Sequence, residues 1–191
     1  MRQRHEIIVE MDEQGFAKHP DEVLITEGIC TCIAFVVQGV FNKGSSKIPC
    51  FGLYHWSGFP VGFQDDPVKY TDKELATFLS NLRTLLKIDE DKIIDIKRLE
   101  FIGGELSQYG DEGELILSGT QKEVDALKKA SYQFDYVKAG FAIKKESIVH
   151  NHFLTSEDQS LKITVSQNKI EIDYQGYEEE IDNSHSSSFF L

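Results

Sequence analysis

Three cysteines and a histidine, Cys30, Cys32, Cys50 and His55, are the side chains of this 191-residue sequence best suited to covalent chemistry. Cys30-Thr31-Cys32 lies inside an apolar stretch, and His55 sits in Tyr54-His55-Trp56. A cysteine becomes a nucleophile when a base within hydrogen-bond reach takes its proton, and two adjacent strands would hold Cys32 opposite His55. The same residue types admit two other readings. Free cysteines in an apolar strand are commonly small core hydrophobes. Cys30, Cys32, Cys50 and His55 are also four ligands of the kind zinc takes. A Cys-x-Cys pair lacks the Cys-x-x-Cys knuckles of ordinary structural zinc sites, however, so no metal is expected. His150-Asn151-His152 puts two histidines on one strand face; with no third ligand at a usable spacing, it reads as a solvated polar face.

The elements that would carry these residues are mostly strands. Glu6 to Met11, Glu22 to Thr26 and Ile29 to Val37 are aliphatic, β-branched runs of strand length, and the third is apolar enough to be buried on both faces. Ile48 to His55 follows the turn-rich Asn42-Lys43-Gly44-Ser45-Ser46, so the third and fourth runs are expected to be hairpin neighbours. Ser57 to Tyr70, with two glycines and two prolines, reads as a loop. Thr71-x-x-Glu74 has the form of a capping box, and Leu75, Phe78, Leu79, Leu82, Leu85 and Leu86 then make one helical stripe. Thr120-x-x-Glu123 predicts a shorter helix with Val124, Leu127 and Ala130 on its inner face. Ile93 to Ile102, Glu114 to Leu117, Tyr136 to Lys144 and Glu146 to Leu154 are further strand candidates, and Leu161 to Ser166 with Lys169 to Tyr174 form a predicted hairpin. Gly103-Gly104 calls for close backbone approach or positive φ.

Charge narrows the partners. With 20 Lys and Arg against 32 Asp and Glu, the net charge is −12, which disfavours binding to nucleic acid or to anionic membranes. Forty per cent hydrophobic residues describe a folded chain, and no run reaches the roughly 20 apolar residues of a membrane helix. Three cysteines leave one unpaired under any pairing, which favours a reducing compartment, and no Sec signal precedes the first strand. Residues 1–176 are expected to form one domain, followed by an acidic, Ser-rich tail over 177–191.

Four segments resemble one family in order and spacing. Val23-Leu24-Ile25-Thr26-Glu27-Gly28-Ile29-Cys30-Thr31-Cys32-Ile33-Ala34-Phe35 is similar to the nucleophile segment of CheD, the chemoreceptor glutamine deamidase. Gly52 to Pro60 resembles that family's histidine segment, Lys69-Tyr70-Thr71-Asp72 the start of its first long helix, and Arg98 to Gly104 the end of its Gly-Gly strand. Cys30 and Thr31 stand where the family has Gly and Ser, and the family's Gly-x-Arg-Asn pattern is replaced by Leu117-Ser118-Gly119-Thr120. These departures point away from a chemoreceptor substrate and toward CheD-fold bacterial toxins and effectors.

The resemblance implies an α+β fold with a mixed β-sandwich core flanked by helices, and a protein-glutamine deamidase that needs no cofactor. Cys32 would be the nucleophile, His55 its base and Thr26 the residue that orients His55, with Thr31 and Trp56 as substrate contacts. Its partner would be a protein presenting an exposed glutamine. Transfer of the acyl group to an amine, or hydrolysis of another carbonyl, would use the same thioester. A non-catalytic binding module on the same fold is the competing class. An ion pair with His55 would lower the Cys32 pKa, and disulfides from Cys30 or Cys50 would protect Cys32. The expected location is the bacterial cytoplasm, with translocation into a host cell suggested by the acidic, serine-rich tail ending in Phe189-Phe190-Leu191.

Overall fold

The structure is a computed structural model that describes residues 4–117, 120–153 and 159–176. Twelve strands and two α-helices lie in these segments, and the fold class is α+β, a sheet core with its helices packed on one side. In chain order the strands are β1 (His5–Ile8), β2 (Gln14–Ala17), β3 (Glu22–Ile29), β4 (Ile33–Lys43), β5 (Ser46–Trp56) and β6 (Ile94–Glu105). They continue as β7 (Gln108–Tyr109), β8 (Leu115–Leu117), β9 (Phe141–Ile143), β10 (Ile148–Phe153), β11 (Gln159–Val165) and β12 (Ile170–Gly176). Helix α1 spans Pro67–Leu85 and α2 spans Gln121–Gln133.

Two mixed sheets face each other. One runs β1-β3-β11-β12; the other runs β10-β6-β4-β5-β2, with β9 also paired to β6. Alternation along β4 divides its side chains between two layers. Ala34 and Val36 join Leu24, Ile29, Phe51, Leu53, Ile102, Leu161 and Ile163 between the sheets. Ile33, Phe35 and Val37 turn the other way, to the layer filled by Leu75, Phe78, Leu79 and Leu82 of α1 and by Val124 and Leu127 of α2. A strand buried on both faces needs an unbroken apolar run, and Ile33 to Val37 is at most 1% exposed throughout. The β4–β5 hairpin closes at Gly44, whose φ of 62° suits a tight turn.

Several expectations are corrected. The run from Ile29 to Val37 is not one strand: Gly28 (φ 74°) turns the end of β3, and Cys30 to Cys32 form bends before β4 begins. Helix α1 starts four residues before Thr71. Asp66 accepts hydrogen bonds from the Val68 and Lys69 amides, Pro67 sits in the first turn, and the Thr71 hydroxyl donates to the Pro67 carbonyl. Leu85 is exposed. Thr120 precedes α2 as expected, but its hydroxyl accepts from the Glu105 amide instead of capping the helix. Tyr136 to Lys144 forms turns and the short β9, and β2, too brief and polar to be anticipated, pairs with β5. Residues 177–191, expected as a tail, lie outside the described residues.

Candidate functional site

Alternation along β5 turns Tyr54 and Trp56 to the helices and Leu53 and His55 to the inter-sheet layer. His55 lies opposite Ala34 in the β4–β5 register, and Thr26 reaches it from β3 in the facing sheet. The Thr26 Oγ1 to His55 Nδ1 distance is 2.8 Å, and the two residues are 1% and 4% exposed. His55 Nε2 is buried and has no hydrogen-bond partner. Cys32 sits two residues before Ala34, half-buried against the same inter-sheet cluster, so β3, β4 and β5 together bring Thr26, Cys32 and His55 to one end of this layer.

Two backbone devices hold this end in shape. The Gly104 amide donates to the Cys32 carbonyl at 2.9 Å, and Gly103 and Gly104 have φ of 98° and 75°. A Cβ on Gly103 would stand 2.4 Å from Ile29 Cγ2 and 2.7 Å from the Cys32 carbonyl oxygen. The glycine pair thus meets both conditions expected of it, left-handed backbone and close approach. On the other side, the β1–β2 turn clasps β5. The Asp12 amide donates to the His55 carbonyl (2.6 Å), and the His55 amide donates to that of Glu13 (3.1 Å). The Asp12 carboxylate accepts from both the amide and the hydroxyl of Ser57, at 2.9 and 3.0 Å.

Burial works against charge on both Cys32 and His55. Burial pushes the Cys32 thiol above its ordinary 9.0, and the Asp12 carboxylate pushes it further, against a lowering hydrogen bond from the Thr31 side chain. Burial lowers His55 below 6.5, with Asp12 and Glu10 opposing. Both shifts run against the thiolate–imidazolium ion pair, and the lowered thiol pKa, that the resemblance implied. A neutral imidazole with Nδ1–H donated to Thr26 keeps its lone pair on Nε2, which suits it to take a proton only as a bond forms at sulfur.

The remaining candidates separate from this group. Thr31 is exposed at the rim beside Cys32. Trp56 is not a substrate contact: it is 1% exposed on the helix side of β5, edge-on to Phe35 and Phe59. Cys50 also faces the helix layer, its thiol pushed up to about 12 by burial, so it neither shares a metal site with Cys32 and His55 nor bridges to Cys32. Cys30 Sγ donates to Glu105 Oε1 at 3.2 Å, and its pKa rises to about 11 through burial and that carboxylate. Among the described residues no group of three or more His, Cys, Asp or Glu is arranged to hold a metal. His150 and His152 are not on a solvated face. His150 stacks on Phe101 and meets Ser131 Oγ at 3.0 Å, and His152 Nδ1 donates to the Gly103 carbonyl, because β10 packs beside β6 under α2.

Sequence reasoning missed Asp12 and Glu105. Asp12 is one of several acids in Glu10-Met11-Asp12-Glu13, and only the long-range β2–β5 pairing sets it against His55. No protein-family model matches the chain, and no curated protein matches it in sequence. Among solved structures it is similar to the crystal structure of Bacillus licheniformis hypothetical protein YfiH, with 14% identity and a TM-score of 0.31. That alignment covers 72% of this chain and 49% of YfiH, so the chain spans about half of its length. No helix among the described residues is long and apolar enough to cross a membrane.

Proposed function

We propose that the protein is a cysteine-dependent protein-glutamine deamidase, with Cys32 as nucleophile, His55 as general base and acid, and Thr26 as the residue that orients His55. The observation that carries the reading is the Thr26–His55 hydrogen bond in the layer that Cys32 abuts, with His55 Nε2 left free of any other partner. In the first step sulfur attacks the side-chain carboxamide carbon of a target glutamine, and the thiol proton passes to Nε2. The carbon–nitrogen bond then breaks as the imidazolium returns that proton to the departing ammonia, leaving a thioester. Water adds to the thioester, giving its proton to Nε2; the acyl–sulfur bond breaks, and the proton returns to sulfur. The balance is glutamine plus water to glutamate plus ammonia. Thr31, exposed at the rim, is the proposed substrate contact that remains once Trp56 is assigned to the core. A bacterial effector acting on a host protein is the biological setting that the sequence departures suggest.

A second reading has its own support. A thiol pushed above 9.0 by burial and by a carboxylate is a poor spontaneous nucleophile, as a non-catalytic binding module would permit. One experiment separates the two. Wild-type protein and Cys32→Ser are incubated with bacterial and eukaryotic lysates, and glutamine-to-glutamate conversions are mapped by mass spectrometry. Conversions unique to the wild type, and absent with His55→Ala, support the deamidase. Identical maps for all three proteins overturn it.

A further inference from the structure

A cavity of about 720 Å³ lies far from Cys32 and His55. It opens where β4 ends and β5 begins, at Phe41 to Lys43 and Ile48 to Pro49, whereas Cys32 precedes the first residue of β4. About ten residues of strand at roughly 3.3 Å each separate the two places, on the order of 30 Å. The cavity is thus independent of the proposed reaction centre. Its size falls within the roughly 300–1,000 Å³ usual for small-molecule sites.

Its lining is unusual for a chain of net charge −12. Lys18, Lys43, Lys87 and Lys92 converge on it from three separate segments, the last two from the connection between α1 and β6, against the single acid Asp89. Lys18 is partly buried there, its ammonium donating to the Leu86 carbonyl at 2.9 Å, which employs one of its three N–H groups. Lys92 is partly neutralised by Asp91 at 2.8 Å. Beneath these cations the floor is apolar: Phe41, Ile48, Pro49, Leu86 and Ile88. Phe41, Leu86 and Ile88 are 8%, 7% and 5% exposed and belong to the main core, so the floor is rigid. Lys87 has φ of 52°, a left-handed turn that brings the chain round after α1 and presents Lys87 and Ile88 to the same space.

A cation-rimmed cavity over an apolar floor selects against both extremes of anion. Inorganic anions would leave the floor without a partner, and a nucleic acid would meet the repulsion of the whole acidic surface. We propose that the cavity binds an amphiphilic organic anion, a carboxylate with an aliphatic or aromatic body, its head group among the lysines and its body on the Phe41–Ile88 floor.

Decanoate is the probe, titrated into the full-length protein and followed by calorimetry and by amide shifts in NMR spectra. Saturable binding is expected, with shifts concentrated at Lys43, Ile48 and Ile88 and an affinity at least tenfold above that of decanol. Lys43→Met with Lys87→Met, two exposed positions, should weaken decanoate about tenfold while leaving the thermal midpoint in place. Cys32→Ser should bind as wild type does, so failure of the deamidase reading leaves this result untouched. Absence of saturable decanoate binding, equal binding of decanol, or no loss in the double lysine variant would each overturn the proposal. So would preferential binding of a hexaglutamate peptide, which would make the cavity a dock for acidic protein segments.

Discussion

Replacing Thr26 by Val tests the centre of the site with little change in volume. The variant removes the hydroxyl that meets His55 Nδ1 at 2.8 Å and puts a methyl group in its place. His55 Nε2 already lacks a partner, so the substitution leaves a 4%-exposed imidazole with neither ring nitrogen satisfied. An orphaned buried polar group costs about 1–3 kcal/mol, against about 0.5–1.5 kcal/mol for an ordinary hydrogen bond, so about 2 kcal/mol is expected here. With a urea slope near the upper end of roughly 1–3 kcal/mol/M for a chain of this size, the midpoint falls by about 0.7–1 M. The interaction is isolated by a cycle with His55→Leu, in which the double variant should cost less than the sum of the singles by about 1–2 kcal/mol. Imidazole nitrogen NMR adds a direct reading. The wild type should show an Nδ1–H tautomer that does not survive in Thr26→Val as a single species. A midpoint shift below about 0.2 M with additive singles would refute the coupling between β3 and β5 on which the proposed site rests.

Three further outcomes follow from the same geometry. Asp12→Asn removes a carboxylate that raises the Cys32 pKa, so the midpoint of the iodoacetamide rate–pH curve should move down; an unchanged or higher midpoint would show that Asp12 does not act on the thiol. His150, lowered from 6.5 to about 4 by burial and its neighbours His152 and Lys128, binds fewer protons when folded than when unfolded between those values. Its contribution to stability is therefore complete above pH 6.5 and is lost as pH falls toward 4. The full shift sets a ceiling of about 3 kcal/mol, reduced to about 1–2 kcal/mol for a partly exposed ring, and His150→Gln should flatten that part of the urea stability–pH curve. Gly103→Ala places a Cβ 2.7 Å from backbone at Cys32 and should cost about 3 kcal/mol or more, whereas the contacts of Gly104→Ala, 2.9 Å and longer, predict a smaller loss. Thermal midpoints of the two variants would contradict this if their order were reversed.

The strands were readable where burial imposes a pattern. Ile33 to Val37 must be covered on both faces, and the strict alternation of β11 and β12 left only a hairpin as a solution. Errors fell where local signals compete. Thr71 and Thr120 both look like helix caps, yet Asp66-Pro67 starts α1 earlier, and the Thr120 hydroxyl is taken by the distant Glu105 amide. Trp56 and His55 are neighbours in sequence, but a period of two sends them to opposite layers.

Residue types alone determined which groups were eligible for chemistry and that the chain would fold as sheets with two amphipathic helices. Tertiary structure decided which eligible groups meet. Thr26 joins His55 across two sheets, Cys50 is turned away from Cys32, and Asp12 arrives through a strand too short to foresee. It also set the direction in which the thiol shifts, because desolvation depends on what surrounds a group in space, and that direction runs against the ion pair the resemblance implied. The four lysines of the large cavity make the same point. They are scattered over 18–92 in the chain and diluted by 32 acids, so no sequence window shows them as a cluster, and only the convergence of the ends of β2 and β4 with the connection after α1 does.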